Sequence, residues 1–155
     1  MKLCHYINEQ CVFIELKPAD KQALLNMLAE EVVRCHPGVD RDRLISRLLE
    51  REKAGSTGIG RGVAVPHATI EGLPETLCMI ARLPDGIDFD AIDQKPVRLV
   101  FLLVSPPGEI GLHVRLLARI ARLLKRGELL SAVEGDVSAR QVCALVQRED
   151  ERHAG

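Results

Sequence analysis

The chain has 155 residues, of which 46% are hydrophobic and 28% are charged. This length is close to that of one ordinary domain, and the composition is typical of a globular protein with a substantial core. The 21 basic and 22 acidic side chains give a formal net charge of −1. The overall charge therefore gives no electrostatic reason to expect nucleic acid or an anionic membrane surface as a partner.

The N-terminal stretch MKLCHYINEQCVF interrupts its apolar residues with polar ones and does not resemble a signal peptide. The longest apolar run, residues 99–104, is too short to span a bilayer. These features predict a cytoplasmic protein without membrane insertion. The five cysteines, at positions 4, 11, 35, 78 and 143, show no C-x-x-C spacing and are expected to be free, reduced thiols rather than metal ligands.

The first half of the chain predicts helices bounded by clear start and stop signals. In chain order, the predicted elements are a strand at 11–16, a helix at about 19–34, a helix at about 41–54, a glycine-rich loop at 55–62 and a short strand at 62–66. Pro18 introduces the first helix and Pro37-Gly38 ends it. Asp40 is a typical N-cap for the second helix.

The second half predicts two strands followed by helices. In chain order, the predicted elements are a strand at 76–83, a turn at 84–86, a loop or short edge strand at 87–94, a strand at 97–105, a helix at about 110–126, a helical turn near 128–133 and a helix from 138 to about 147. The run VRLVFLLVS at 97–105 is nearly continuous hydrophobe, as expected of a strand that is buried on both faces. Ser138 and Gln141 match a capping box, and residues 149–155 are expected to fray.

Helices and strands that alternate along the chain favour an α/β sandwich around a small mixed central sheet. No repeat, low-complexity segment or linker divides the sequence. We therefore predict a single domain over residues 1–155, with a core at about 12–147.

The segment GSTGIGRG at 55–62 is the first candidate for chemistry. Four glycines in eight residues let the backbone turn tightly and present N–H groups to an anion. The segment is not a Walker A loop, because no Gly-Lys-Ser/Thr follows, and it is not a dinucleotide fingerprint, because it leads into Val-Ala-Val-Pro rather than a helix.

His67 follows this loop directly after Pro66. Proline disfavours helix at the preceding residue and fixes its own φ, so the chain is expected to reach His67 extended, at the end of the short strand. A histidine in that position can present one ring nitrogen to a partner while a hydrogen bond holds the other. From the residues alone, a phosphoryl-accepting nucleophile and a half-buried structural histidine are both compatible with this pattern.

Two further side chains, His113 and Arg51, could reach the same site. His113 lies on the apolar stripe of its predicted helix, which fits a core histidine, but it comes just after a buried strand, and ligands collect at the carboxyl ends of strands in α/β sheets. Arg51, late in its helix, fits either a solvated helix end or a site residue. A stripe of arginines on the helix at 110–126 is expected to be a wet face, with docking of an acidic partner as the alternative: Arg115, Arg119, Arg122 and Arg126.

The run Gly55-Ser56-Thr57-Gly58-Ile59-Gly60-Arg61-Gly62-Val63-Ala64-Val65-Pro66-His67-Ala68 resembles the active-site signature of enzyme IIA domains of the fructose–mannitol class of the bacterial phosphotransferase system. The stand-alone nitrogen-regulatory branch is closest in appearance. Arg51-Glu52 upstream and the segments Asp88–Ala91, Lys95–Val97 and Leu99–Leu103 downstream are also similar to that family. The resemblance extends from about Val12 to Val146.

The resemblance implies the reaction and the roles of individual residues. His67 corresponds to the histidine that accepts a phosphoryl group from a histidine phosphocarrier protein, His113 to a second histidine in the same site, and Arg51 to an arginine that contacts the phosphoryl group. Ser56 and Thr57 are further candidate contacts. The family implies an enzyme IIB or a regulatory target as the next partner, and no cofactor or metal is expected.

The sequence departs from the family pattern at two positions. Ala68 stands where many relatives carry glycine, and Arg61 stands where they often carry a small or amide residue. Arg61 is expected to add a cation near the site. The predicted function is that of a phosphocarrier, and the alternative is a non-catalytic binding module on the same scaffold whose partner choice does not depend on phosphorylation.

Overall fold

A computed structural model describes residues 2–125 and 127–152 as a mixed sheet between two layers of helices. The helices in these ranges are α1 (Lys21–Cys35), α2 (Arg41–Lys53), α3 (Ile110–Lys125), α4 (Glu128–Val133) and α5 (Ala139–Arg152). The strands are β1 (Val12–Phe13), β2 (Gly58–Gly60), β3 (Val63–Ala64), β4 (His67–Thr69), β5 (Leu77–Ile87) and β6 (Val97–Ser105). The predicted α/β sandwich with a small mixed central sheet is confirmed. No helix within these ranges is long and apolar enough to cross a membrane.

Strand β6 is the centre of the sheet. The strand order is β1-β5-β6-β3-β2, and β4 also pairs with β6. β5 runs antiparallel to β6, whereas β3 and β4 run parallel to it. Alternate side chains of β6 therefore enter different cores: Leu102 packs with the residues of α1 and α2, and Phe101 packs with those of α3, α4 and α5. This two-sided burial explains the continuous hydrophobic run.

The predicted helix signals match the observed helix ends. The Asp40 carboxylate accepts a hydrogen bond from the backbone N–H of Arg43 at 3.1 Å, and α2 begins at the next residue after Asp40. Ser138 and Gln141 form the reciprocal hydrogen bonds of a capping box, at 3.1 and 2.7 Å. The first helix begins at Lys21 rather than at about residue 19, because the side chain of Asp20 is its N-cap.

Two strand predictions were wrong. β1 has only two residues and pairs with Ile80 and Ala81 of β5, since it is an edge strand with one neighbour. The predicted turn at 84–86 lies inside β5, where the register against β6 shifts between Arg82 and Ile87. Gly86 has a φ of +66°, so the turn-forming residues make an irregular bulge rather than ending the strand.

The C-terminal residues 149–152 do not fray, contrary to prediction; residues 153–155 lie outside the described ranges. α5 continues to Arg152, and Asp150 is 2% exposed. Its carboxylate accepts hydrogen bonds from the backbone N–H groups of Leu3 and Cys4, at 3.1 and 2.8 Å, and from Nε of Arg119 at 3.3 Å. The predicted wet arginine face is therefore wrong at Arg119, which is buried in this ion pair, while Arg126 lies outside the described residues.

Candidate functional site

His67 is the first residue of β4, and Pro66 determines how it is presented. β3 and β4 follow β6 in one register, since Ala64 pairs with Val100 and His67 pairs with Leu103. Pro66 interrupts the ladder because it has no N–H to donate, yet its carbonyl oxygen still accepts from the N–H of Leu103 at 3.1 Å. The predicted strand at 62–66 is observed as the shorter β3, which ends before Pro66. That the chain resumes its pairing with β6 at His67, as β4, was not predicted.

The hydrogen bonds of His67 define which ring nitrogen carries the proton. Nδ1 lies 2.9 Å from the carbonyl oxygen of Val65. A carbonyl oxygen only accepts, so Nδ1 is the protonated nitrogen of the neutral ring. Nε2 keeps its lone pair and accepts a hydrogen bond from Nε of Arg51 at 3.2 Å. The nucleophilic atom available at this site is therefore Nε2.

Arg51 reaches His67 from the last turn of α2. Its Nη1 donates to the carbonyl oxygen of Gly55 at 2.8 Å, which fixes the guanidinium between the helix end and the glycine-rich loop. The guanidinium thus lies directly beside the lone pair of Nε2 and presents further N–H groups for an anion bound there.

His113 lies on the first turns of α3 and faces His67, with the two ring centroids 5.4 Å apart. Its Nδ1 is 2.8 Å from Oγ of Ser105, the last residue of β6. Burial lowers the pKa of His113 to about 4, and the neighbouring His67 acts in the same direction. Burial also lowers the pKa of His67; the Val65 carbonyl opposes this shift and the Arg51 charge adds to it. Both imidazoles are therefore neutral at neutral pH.

The hydroxyl groups of the glycine-rich loop point into the protein. Oγ of Ser56 donates to the carbonyl oxygen of Phe89 at 2.7 Å, and Oγ1 of Thr57 donates to the carboxylate of Glu52. Each hydroxyl has only one proton, and each proton is donated in one of these two hydrogen bonds, which hold the loop in place. Ser56 and Thr57 nevertheless line a cavity together with Arg51 and His67. A contact of these two residues with a phosphoryl group stays a prediction.

Glu52 binds the glycine-rich loop through its carboxylate, a role that the sequence did not predict. It is 9% exposed, accepts from the backbone N–H of Thr57 at 3.0 Å, and forms an ion pair of 2.9 Å with Lys21. The loop lies so close to the 88–91 segment that a Cβ on Gly58 would be 2.9 Å from that of Ala91. The loop is therefore held against the protein body, and it connects the end of α2, which carries Arg51, to the strands that lead to His67.

Arg61 does not add a cation beside His67, contrary to prediction. Its backbone N–H donates to Asp93 at 3.0 Å, and its Nη1 donates to the carbonyl oxygens of Leu124 and Lys125 at 3.5 and 3.2 Å. The guanidinium therefore satisfies carbonyl groups at the C-terminal end of α3, where a cation is favourable.

A shallow cavity of about 450 Å³ contains the two histidines and Arg51 together. Sequence reasoning missed Arg47, which lines the same cavity; its position one helical turn before Arg51 was the available signal. Ile110 and Val114, on the rim, are 61% and 60% exposed, and Ile59 beside an adjoining cavity at His67 is 47% exposed. Within the described residues, no three His, Cys, Asp or Glu side chains are grouped so that they could hold a metal ion.

The structure thus brings His67, Arg51, which donates to its Nε2, and His113 together in one cavity. The class of the protein, a phosphotransfer component, follows from the family that its sequence matches. The family model described as "Phosphoenolpyruvate-dependent sugar phosphotransferase system, EIIA 2" matches residues 5–149. The chain belongs to this family.

The relatives carry regulatory and sugar-specific names. The chain is 33% identical over 146 residues to a nitrogen regulatory protein of Bradyrhizobium diazoefficiens, covering 94% of this chain and 95% of the relative. It is 34% identical over 141 residues to the fructose-specific EIIA component of the phosphotransferase system of Haloferax volcanii, covering 88% and 91%. The crystal structure of the nitrogen regulatory protein IIA-Ntr from Neisseria meningitidis matches with a TM-score of 0.86 and 26% identity, covering 93% and 98% of the two chains.

Proposed function

We propose that the protein is a phosphocarrier that accepts a phosphoryl group on Nε2 of His67 from a histidine phosphocarrier protein. The observation that carries this proposal is the hydrogen-bond pattern of His67, in which Nδ1 is tied to the Val65 carbonyl and Nε2 keeps its lone pair beside Arg51. The ring is thus held in the tautomer and orientation that a nucleophile at Nε2 requires.

The transfer is a single displacement at phosphorus. As the lone pair of Nε2 forms the new N–P bond, the N–P bond of the donor's phosphohistidine breaks, and its electron pair returns to the donor imidazole. Such transfers pass through a loose transition state with negative charge on the three equatorial oxygens. The lowered pKa of His67 keeps the acceptor neutral and nucleophilic at neutral pH.

Arg51 and His113 are positioned to stabilise the transferred group. The guanidinium of Arg51 already contacts Nε2, so a phosphoryl group that replaces this contact meets its N–H groups without a large rearrangement. Preorganised donors of this kind contribute most to catalysis, because they need no reorganisation during the reaction. His113 faces the same cavity from α3.

The surroundings of His67 support docking of a protein partner. Of the large hydrophobic side chains that are markedly exposed in the described ranges, Ile59, Ile110 and Val114 border the cavities that contain His67. Exposed apolar groups around a polar site are typical of protein–protein contacts. One solved structure that shares the fold of this chain, with a TM-score of 0.76 and 21% identity, is that of a complex of enzyme IIA mannitol with phosphorylated enzyme IIB mannitol from Escherichia coli. We propose an enzyme IIB or a regulatory target as the recipient here.

The test of this proposal is reconstitution. The protein is incubated with labelled phosphoenolpyruvate, enzyme I and the histidine phosphocarrier protein, and the label is tested for the acid lability and alkali stability of a phosphohistidine. Labelling is expected in the wild type and in His5→Ala, an exposed histidine that serves as the matched control, and it should be absent in His67→Ala. An unlabelled wild type would contradict the proposal.

The alternative is a binding module whose partner choice ignores phosphorylation. It is distinguished by a pull-down with the wild type, phosphorylated and unphosphorylated, and with His67→Ala and His67→Glu. A phosphocarrier with a regulatory role is expected to retain different partners in the two phosphorylation states. Identical partners in all four samples would favour the binding module.

A further inference from the structure

A chain of side chains leads from Nδ1 of His113 to a carboxylate outside the cavity. Nδ1 lies 2.8 Å from Oγ of Ser105, which lies 3.0 Å from Oγ1 of Thr76, which lies 2.9 Å from Oε1 of Glu109. Ser105 and Thr76 are 0% and 3% exposed, so these groups are shielded from competing water. The same oxygen of Glu109 also accepts from the backbone N–H of Thr76 at 2.8 Å.

The donors in this chain can be assigned by counting protons. An ionised carboxylate only accepts, so the single hydroxyl proton of Thr76 goes to Glu109 in a charge-assisted hydrogen bond. Thr76 must then accept from the hydroxyl of Ser105, whose only proton is thereby used. Ser105 consequently accepts from His113, and the proton of the neutral imidazole is on Nδ1.

This assignment gives His113 the same tautomer as His67. In a neutral His113, Nε2 then carries a lone pair and no proton, and no hydrogen bond to this atom is found within the described residues. A bare nitrogen repels phosphoryl oxygens instead of binding them. His113 can donate to a phosphoryl group on His67 only after Nε2 has taken up a proton.

We propose that Ser105, Thr76 and Glu109 are positioning residues that hold the proton of His113 on Nδ1, so that phosphorylation of His67 is accompanied by uptake of a proton from solvent at Nε2 of His113. The tautomer stands on the geometry alone, whereas the proton uptake rests on the proposed function of His67. The carboxylate at the far end of the chain favours the imidazolium, because each hydroxyl in between is polarised towards it.

The charges around His113 explain why proton uptake needs the phosphoryl group. The charged and titratable side chains that share its cavity are Arg47, Glu50, Arg51 and His67. Burial of the ring and the neighbouring His67 oppose a positive charge on His113 in the free protein and lower its pKa. A phosphoryl group adds about two negative charges to the cavity and reverses this balance.

The first experiment measures the tautomer in the unphosphorylated protein by NMR of ¹⁵N-labelled histidine at neutral pH. The wild type is expected to show a protonated Nδ1 and an unprotonated Nε2 at His113. Thr76→Val keeps the side-chain shape but removes the hydroxyl, so Ser105 is free to donate to Nδ1, and the proton of His113 should move to Nε2. Thr76→Ser retains a hydroxyl and should keep the wild-type tautomer. A protonated Nε2 in the wild type, or no change in Thr76→Val, would overturn the assignment.

The second experiment follows His113 during a pH titration of the phosphorylated protein. The pKa of His113 is about 4 in the free protein and is expected to rise by roughly three units when the phosphoryl group is present. Thr76→Val should show a clearly smaller rise, since its neutral ring already has a donor at Nε2. A phosphorylated wild type in which His113 stays neutral down to about pH 5 would overturn the proton uptake. If His67 takes no label at all, the proposed function fails, and the tautomer result is unaffected.

Discussion

The buried, neutral His113 makes the stability of the protein depend on pH in a defined window. Its pKa is about 4 in the folded protein, against about 6.5 in an unfolded chain. Below about pH 6.5 this histidine is protonated in the unfolded chain but stays neutral in the folded protein. The free energy of unfolding therefore decreases as the pH falls towards 4. The difference of about 2.5 units corresponds to about 3 kcal/mol over the whole window, at 1.36 kcal/mol per unit. The lowered pKa of His67 acts in the same direction.

The measurement is urea unfolding at about pH 7 and about pH 4.5, followed by circular dichroism, for wild type, His113→Asn and the exposed-histidine control His5→Asn. Asparagine retains an N–H close to the position of Nδ1 and does not titrate in this window. Between the two pH values, the wild type and His5→Asn should lose about 2–3 kcal/mol more than His113→Asn. An equal loss in all three proteins would refute the claim that His113 is held neutral by burial.

Three further predictions concern the fold and the site. Asp150→Ala removes a buried carboxylate that binds a buried guanidinium and two backbone N–H groups, so the free energy of unfolding should fall by about 3–5 kcal/mol in a urea titration. Arg51→Lys keeps the charge but loses the planar fork beside Nε2 of His67, the proposed acceptor, so the initial rate of phosphoryl labelling should fall about 10- to 100-fold. Gly72→Ala places a Cβ against the carbonyl oxygen of Gly38 at a φ of +95° and should lower the melting temperature by several degrees, whereas Gly108→Ala, with open space around it, should not.

Each of these has its own contrary result. An Asp150→Ala protein as stable as the wild type would mean that α5 does not depend on this ion pair. Wild-type labelling by Arg51→Lys would mean that a point charge suffices at the site. Equal melting temperatures for the two glycine variants would mean that the backbone at residue 72 relaxes at little cost.

The elements that the sequence predicted best are those determined by local patterns. β6 could be predicted because a strand buried on both faces needs apolar side chains at every position. The start of α2 could be predicted because Asp40 satisfies an orphan N–H group through its own side chain. β4, which follows Pro66, could not be predicted. The missing N–H of a proline predicts an interruption of the strand, but not whether the chain then continues to pair with β6.

The site illustrates the same limit. His67 could be proposed as the acceptor from its position after the glycine-rich loop and from the family resemblance, which implied the reaction. The hydrogen-bonded side chains that lead from His113 to Glu109 could not be predicted, because Thr76 is 33 residues from Glu109 and 29 from Ser105 along the chain. Arg119 was misjudged for a related reason, as helical spacing defines a face but not the carboxylate that α5 brings to it.

The central claim is that Nε2 of His67 carries the phosphoryl group. It is tested most directly by NMR of the ¹⁵N-histidine-labelled protein after phosphorylation, with the phosphorus coupling used to identify the nitrogen that is bonded to it. One phosphorylated nitrogen is expected, Nε2 of His67, with Nδ1 still protonated and bound to the Val65 carbonyl. A phosphoryl group on Nδ1 of His67, or on His113 instead, would contradict it.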